Sequence, residues 1–203
     1  MAAVVFESAN PSVVRSVRQR DLLNSWLRLY ARQQTLPRLA EYQPERMKEE
    51  LPDLVFYIVD TSRQPVRFII DSDSTRISTA YGTTGKGRDL DDYLGPIMAA
   101  VVVPVYQECL RRALPTYTVS MIDDVHGRAV AYERVLMPFS DGDGVNHIIA
   151  SLKAISEHGG FEIRNLMRGP HRVPVPKVHA VIDRDLFHRA PARTRAGDIV
   201  EFD

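Results

Sequence analysis

The stretch YERVLMPFSDGDG, Tyr132 to Gly144, decides how the fold of this chain is interpreted. It runs from a charged pair through apolar residues into an acidic, glycine-rich turn, which suits either a metal- or phosphate-binding loop or the bend of a β-hairpin. A calcium loop needs oxygen ligands at its positions 1, 3, 5 and 12 between two helices. Position 12 counted from Asp141 is Leu152, and both flanks have the composition of strands. Glycine and aspartate at this density are typical of hairpin turns, so the stretch predicts a strand and its turn.

More strands are predicted on both sides of this turn. Apolar runs occupy residues 116–123, 129–139 and 145–155, with DDVHG as the first turn and SDGDG as the second. These strands must be antiparallel, because a parallel connection needs a crossover of roughly a dozen residues or more. Upstream, LVFYIVD and VRFIID between residues 54 and 71 predict two strands joined by a turn. The expected sheet therefore has five antiparallel strands.

Helical periodicity accounts for much of the remaining apolar sequence. Ser12 is expected to cap a helix in which apolar residues recur at helical spacing to about Gln34. A short helix is expected within 45–51, and a longer one over 97–114, kinked at or beginning near Pro104. The glycine-rich stretch between them predicts short helical turns and loops. Helices grouped in the middle of an antiparallel sheet define the α+β class.

The chain divides into four parts by composition. We expect an N-terminal leader at 1–11, a helical segment at 12–51, an α+β core at 52–158 and a Pro/Arg-containing extension at 159–203. The extension is expected to be irregular, and either to pack on the core, to pair with a partner or to stay mobile.

Charge and cysteine content exclude several classes of function. The 203 residues include 26 Lys+Arg and 26 Asp+Glu, so no nucleic-acid partner is expected from net charge. Cys109 is the only cysteine, which excludes an intramolecular disulfide and favours a reducing compartment. The N-terminus is a poor signal peptide, and the apolar run 97–105 is too short to cross a bilayer. We therefore expect a cytoplasmic protein without membrane insertion.

The order of these elements resembles the PAS fold, and more specifically a bacterial family of single-domain PAS proteins. The resemblance rests on Trp26, LPR at 36–38, Pro44, PDLVFYIVD at 52–60, RFIID at 67–71, the glycines of YGTTGKG, ALP at 113–115 and YERVLMPFSDG at 132–142. It implies a domain that binds or senses small molecules between sheet and helices and associates with other proteins. It implies no catalytic residue.

Other motifs do not carry chemistry. AYGTTGKG at 80–87 imitates a phosphate loop, but Ala80 stands at its first glycine and Gly87 at its Ser/Thr. His171, His179 and His188 are 8 and 9 residues apart, unlike zinc-ligand spacing. Cys109 on an apolar helix is more typical of a core residue than of a nucleophile. Cofactors stay unknown, because the sequence has no mark for haem, flavin or metal.

The aromatic residues provide the candidate ligand cavity of a PAS-like domain. Its predicted lining is Phe56, Phe68, Tyr93, Tyr106, Tyr117, Tyr132 and Arg134, and Tyr57 belongs to the same aromatic set. Glu133 and Arg134 lie on opposite faces of one strand, and Arg134 is the better placed to reach an anionic ligand. The alternative interpretation is a filled aromatic core.

The functional hypothesis is a non-enzymatic regulatory module that acts through protein contacts, as a homodimer or with another protein, and that a small-molecule ligand could gate. The candidate interface on the first helix is Leu22, Leu23, Trp26 and Leu29, with packing of that helix on the sheet as the alternative. A second hypothesis is a small enzyme with its site around Arg134 and Tyr132. A third is nucleic-acid contact through the basic tail 164–195, whose charge nearby acidic residues dilute.

Overall fold

A mixed β-sheet forms the centre of the molecule. The computed structural model describes residues 5–156, 159–167 and 173–183, and these contain seven strands. The strands are β1 (Glu7–Ala9), β2 (Leu54–Asp60), β3 (Arg67–Ser72), β4 (Thr116–Asp123), β5 (Ala129–Phe139), β6 (His147–Ile155) and β7 (Val175–Ile182). The helices are α1 (Val17–Gln33), α2 (Met47–Glu50), α3 (Thr75–Tyr81) and α4 (Leu90–Arg112). The architecture is therefore α+β, as the sequence predicts.

The strand order is β1-β7-β4-β5-β6-β2-β3. The five strands from β4 to β3 are antiparallel and correspond to the predicted sheet, with the hairpin β2–β3 beside the last strand of the meander β4–β5–β6. This is a PAS-like arrangement. The SDGDG stretch lies in the connection from β5 to β6, where Gly144 has φ 72° and Ser140 Oγ donates a hydrogen bond to the Gly142 carbonyl over 2.6 Å. The hairpin interpretation is confirmed.

The expected irregularity of the C-terminal extension is wrong for Val175–Ile182. These residues form β7, antiparallel to β4, and β1 adds a parallel pair with β7. The sequence does not predict this strand because it contains Pro176, and proline cannot donate a hydrogen bond to a sheet ladder. It pairs with Ser120 at a register shift in the ladder, where a missing donor is tolerated. Residues 184–203, with His188, lie outside the described residues, as does His171.

Helix α1 begins later than predicted. Ser12 lies in a single 3₁₀ turn capped by Asn10, and the N-cap of α1 is Ser16, whose hydroxyl accepts a hydrogen bond from the Gln19 amide. Extended backbone at Val14 separates the two, and the Val14 side chain is fully buried. The apolar residues that continue across Val14 in the sequence therefore belong to two separate helical elements, because the chain extends at Val14 to bury its side chain.

The long helix α4 also differs from its predicted form. It begins at Leu90, and its break lies at Gly95, with φ 72° and ψ 166°, instead of near Pro104. Pro96 then opens the second part, where a missing amide proton is no loss. By length and composition α4 is the one helix among the described residues that could span a membrane. In this structure it packs on the sheet and contributes Tyr106 and Cys109 to the core.

Both faces of the sheet are covered. One hydrophobic core lies between the sheet and α3 and α4, and the other lies between the sheet and α1. Each strand therefore sends alternate side chains into two different cores.

Candidate functional site

Alternation along β5 separates its charged pair. Arg134 points into the core under α3 and α4, whereas Glu133 points toward α1. Both are buried, with 5% of Arg134 and 1% of Glu133 exposed. A buried guanidinium is expensive unless it is paired, so the surroundings of Arg134 are the first place to look for a function.

Tyrosines surround the Arg134 guanidinium. Its Cζ lies 5.8 Å from the ring centroid of Tyr106 and 5.6 Å from that of Tyr132, within range of cation–π attraction. The hydroxyl of Tyr106 donates to that of Tyr57 over 3.0 Å, and the hydroxyls of Tyr81 and Tyr132 are 3.4 Å apart. We call Tyr57, Tyr81, Tyr106 and Tyr132 the tyrosine cluster.

The Arg134 guanidinium keeps an unused donor beside the tyrosine cluster. The Nε of Arg134 is buried and has no acceptor among the residues that the structure describes. Each pair of phenols uses one hydroxyl proton in its mutual contact and leaves the second hydroxyl able to donate. Arginine carries only donors, so an acceptor with negative charge would complement the group.

Electrostatics keep this site positive. Burial lowers the pKa of Arg134, but the negative charges that Tyr106, Tyr81 and Tyr132 acquire when they ionise at high pH raise it more, so the pKa lies above its usual value. Burial raises the pKa of Tyr106 to about 12 and the pKa of Tyr57 and Tyr132 well above the ordinary tyrosine value. Tyr57, Tyr106 and Tyr132 are therefore neutral at physiological pH and do not neutralise the arginine.

A polar row crosses the sheet beside the arginine. Thr118 on β4 lies directly opposite Arg134 on one side and His179 of β7 on the other, so the three share a face. The Thr118 hydroxyl is buried without a hydrogen-bond partner in the described part of the chain. Burial and then the charge of Arg134 lower the pKa of His179, whose ring stacks on Phe6 at 5.0 Å.

A lateral cleft of about 300 Å³ opens next to the tyrosine cluster. It reaches Tyr132 and Leu152, and Leu152 is the residue paired with Arg134 across β5 and β6. Its apolar lining comes from α3, β6 and the segment after β6: Ile77, Ala80, Leu152, Ala154, Phe161, Ile163 and Leu166. Asp53, Arg76 and Lys153 form its charged rim.

The structure brings most of the predicted cavity residues to one face of the sheet. Phe68, Tyr93, Tyr106, Tyr132 and Arg134 lie on or beside the core under α3 and α4, although Tyr93 is at its edge and donates to the Thr83 carbonyl.

Two predicted cavity residues lie on the opposite face. Phe56 and Tyr117 belong to the core under α1. Each is the direct neighbour in its strand of a residue that faces α3 and α4, Tyr57 and Thr118, and successive side chains of a strand point to opposite faces. Tyr117 donates to Glu133 Oε2 over 2.9 Å and accepts from the Arg15 amide. The cavity lining missed Tyr57, and Tyr81 was overlooked. Tyr81 belongs to the stretch AYGTTGKG, whose glycines are typical of a loop, but in the structure it is the last residue of α3.

The predicted interface residues are buried in the chain itself. Leu22, Leu23 and Trp26 pack on the sheet, and Leu29 is partly buried against the same core. Trp26 Nε1 donates to the Pro138 carbonyl over 2.7 Å. In the structure these residues pack α1 on the sheet, which is the alternative to an exposed interface.

Other candidate groups have structural roles. The Asp124 carboxylate accepts from the amides of His126 and Arg128 and so caps the β4–β5 turn. Cys109 is fully buried, and burial raises the pKa of its thiol, consistent with a core residue. Within the described ranges, no three His, Cys, Asp or Glu side chains are placed to hold a metal ion.

No model of a known protein family matches the chain, and no curated protein is significantly similar to it. Solved structures that the chain resembles include two light-oxygen-voltage (LOV) domains. One, studied with a flavin analogue, is 21% identical with a TM-score of 0.36, and the alignment covers 51% of this chain and 78% of that one. Another, the LOV domain of the blue-light photoreceptor Aureochrome1 in its light state, is 15% identical with a TM-score of 0.37, covering 56% and 89%. The likeness concerns the fold alone, and the bacterial single-domain subgroup stays a prediction.

Proposed function

We propose that the protein is a non-enzymatic regulatory module of the PAS type, which binds a small anionic ligand at Arg134 and signals its presence through protein contacts. The observation that carries the proposal is the buried Arg134, which has neutral phenols and no acceptor for its Nε among the described residues. An anion would pair the charge and accept the free donors together.

The chemistry around Arg134 favours binding over catalysis. General acid–base catalysis needs a group with a pKa near the working pH. Burial moves the pKa of Tyr57, Tyr106 and Tyr132 away from that range, and the pKa of Arg134 lies above its usual value. The small-enzyme alternative would need a further group to supply the proton transfer.

Native mass spectrometry of the freshly purified protein tests this function. We expect a mass excess that disappears under denaturing conditions and is lost in Arg134→Met. Arg63→Met is the matched control, since Arg63 is exposed and its ion pair with Asp60 is long, at 3.8 Å. A bare chain mass, together with no binding of any added anion, would refute the proposal.

A partner would dock on a surface other than the buried face of α1. The outer face of α1 carries Arg18, Asp21 and Arg28 beside Arg46 and forms part of a polar groove. We propose that protein contacts, in a homodimer or with another protein, use this face. Light scattering of wild type and of the charge-reversed variant Arg28→Glu would test the homodimer. An unchanged oligomer mass in the variant would exclude the outer face of α1 from that contact.

A further inference from the structure

We infer that the ligand is a small organic monoanion, a carboxylate with a short apolar body, and that it enters through the lateral cleft with its carboxylate directed at Arg134. This inference rests on the proposed ligand-binding function and specifies its chemical class. It follows from three features of the site: its charge, its donors and the lining of the cleft.

The charge balance favours one negative charge. Arg134 is the fixed cation of the site, and the lowered pKa of His179 keeps that imidazole neutral near pH 7. A carboxylate compensates one cation fully. A phosphate monoester carries about 1.5 to 2 negative charges at neutral pH and would leave uncompensated charge in a buried site.

The donors match the geometry of a carboxylate. Guanidinium forms paired hydrogen bonds with the two oxygens of a carboxylate. The tyrosine cluster adds hydroxyl donors beside it, and the unpartnered Thr118 hydroxyl lies on the same face. A carboxylate accepts through about four lone-pair positions, so it can satisfy the guanidinium and one or two hydroxyls together.

The lateral cleft specifies an organic ligand. Seven apolar side chains form most of its wall, and its volume is about 300 Å³, the lower end of the range for small-molecule sites. Inorganic anions have no apolar surface to bury against that wall, so it would add nothing to their affinity. A body of a few carbon atoms would bury apolar surface there while its charged end reaches inward.

Tyr132 stands between the lateral cleft and Arg134. It lines the cleft, and its ring lies over the guanidinium. Its hydroxyl contact with Tyr81 is 3.4 Å, which is long for an O–H···O hydrogen bond, so separating the two phenols costs little. The ligand reaches Arg134 when the Tyr132 ring turns aside, and the freed hydroxyl can then donate to the carboxylate.

Calorimetric titration of the full chain with four probes tests this inference: hexanoate, its neutral isostere hexanamide, hexyl phosphate and inorganic phosphate. We expect hexanoate to bind most tightly and hexanamide to bind at least about tenfold more weakly, because the lost interaction is a charge-assisted one. Arg134→Met should bind hexanoate about tenfold more weakly than wild type, whereas Arg134→Lys should retain part of the affinity. The surface control Arg63→Met should bind as wild type.

The outcomes separate the inference from the proposed function. Tighter binding of hexyl phosphate, or equal binding of hexanamide, would overturn the carboxylate inference and leave a ligand-binding module. Inorganic phosphate binding as tightly as hexanoate would show that the apolar wall contributes nothing, and would overturn it too. If no probe binds and the native mass is that of the bare chain, the proposed function fails as well. Circular dichroism of each variant would show that it is folded.

Discussion

We expect Arg134 to lower the stability of the unliganded fold, because its charge is buried without a counter-charge among the described residues. Replacing a buried, poorly paired charge with an apolar residue of similar volume is often neutral or stabilising by about 1–4 kcal/mol. We therefore expect Arg134→Met to leave the free energy of unfolding unchanged or to raise it within that range, measured by urea denaturation. Arg128→Met is the contrasting control, since Arg128 pairs with the Asp124 carboxylate at 2.8 Å, and it should lose stability. A loss of several kcal/mol in Arg134→Met would show that the guanidinium has a structural acceptor.

His179 makes the fold sensitive to acid. Burial and Arg134 lower its pKa in the folded protein, so the unfolded chain binds more protons in the range at and below the ordinary histidine pKa of about 6.5. The stability that neutral His179 contributes is fully present above the unfolded-state pKa of about 6.5. It is lost as the pH falls from there through the lower pKa of the folded protein. We expect wild type to lose more stability than His179→Gln between pH 7.5 and 5.5 in denaturant titrations. Equal losses in the two proteins would show that His179 does not titrate in this way.

The faces of individual side chains were only partly predictable. Strands covered on both faces have continuous apolar runs, because every position is buried, so their composition does not tell which side faces which core. That is why Phe56 and Tyr117 were assigned to the wrong face. Arg134 could be singled out from sequence, since a charge within such a run either pairs locally or serves a ligand.

Among the helices, α4 depends on one glycine. Gly95 has φ 72° and ψ 166°, a region that essentially only glycine occupies, and a Cβ there would meet no atom within 4 Å. The cost of Gly95→Ala is therefore purely conformational, and we expect a loss of about 1–3 kcal/mol in the free energy of unfolding. Gly142→Ala, in the β5–β6 turn and equally open to a Cβ but without a positive φ, is the matched control. A neutral Gly95→Ala would mean that the helix runs through without the break.

Local signals predicted the elements near turns better than the elements at the ends of the chain. The bounds of β4 and β5 agree with the predicted ones, because glycine and aspartate turns delimit both strands. Strands β1 and β7 form a parallel pair between residues far apart in sequence, and no turn marks their pairing. The ligand cleft could not be predicted from the sequence either, since its lining comes from α3, β6 and residues after β6, which are brought together only in the folded chain.

Across the whole molecule, one charged network links the two sides of the sheet. The Lys153 ammonium of β6 pairs with Glu50, the last residue of α2, at 2.7 Å and with Asp53, which directly precedes β2. Arg18 of α1 reaches Glu50 at 3.3 Å, and Arg76 of α3 reaches Asp53 at 2.7 Å. The network therefore joins the helix on one face to the rim of the lateral cleft on the other.

Removing Lys153 should destabilise the whole fold, because Glu50 and Asp53 are nearly fully buried and Lys153 is the cation that both share. Breaking a buried ion pair from one side costs about 3–5 kcal/mol, and Lys153→Met should fall near the lower end because Arg18 and Arg76 still reach the carboxylates. Urea denaturation would measure the loss, with Lys177→Met, at an exposed position in the first half of β7, as control. The double variant Lys153→Met/Asp53→Asn should recover part of it, since one of the stranded charges is then gone. If the double variant is less stable than Lys153→Met alone, the stability lost in Lys153→Met does not come from an unpaired Asp53, and the network would have to act through packing instead.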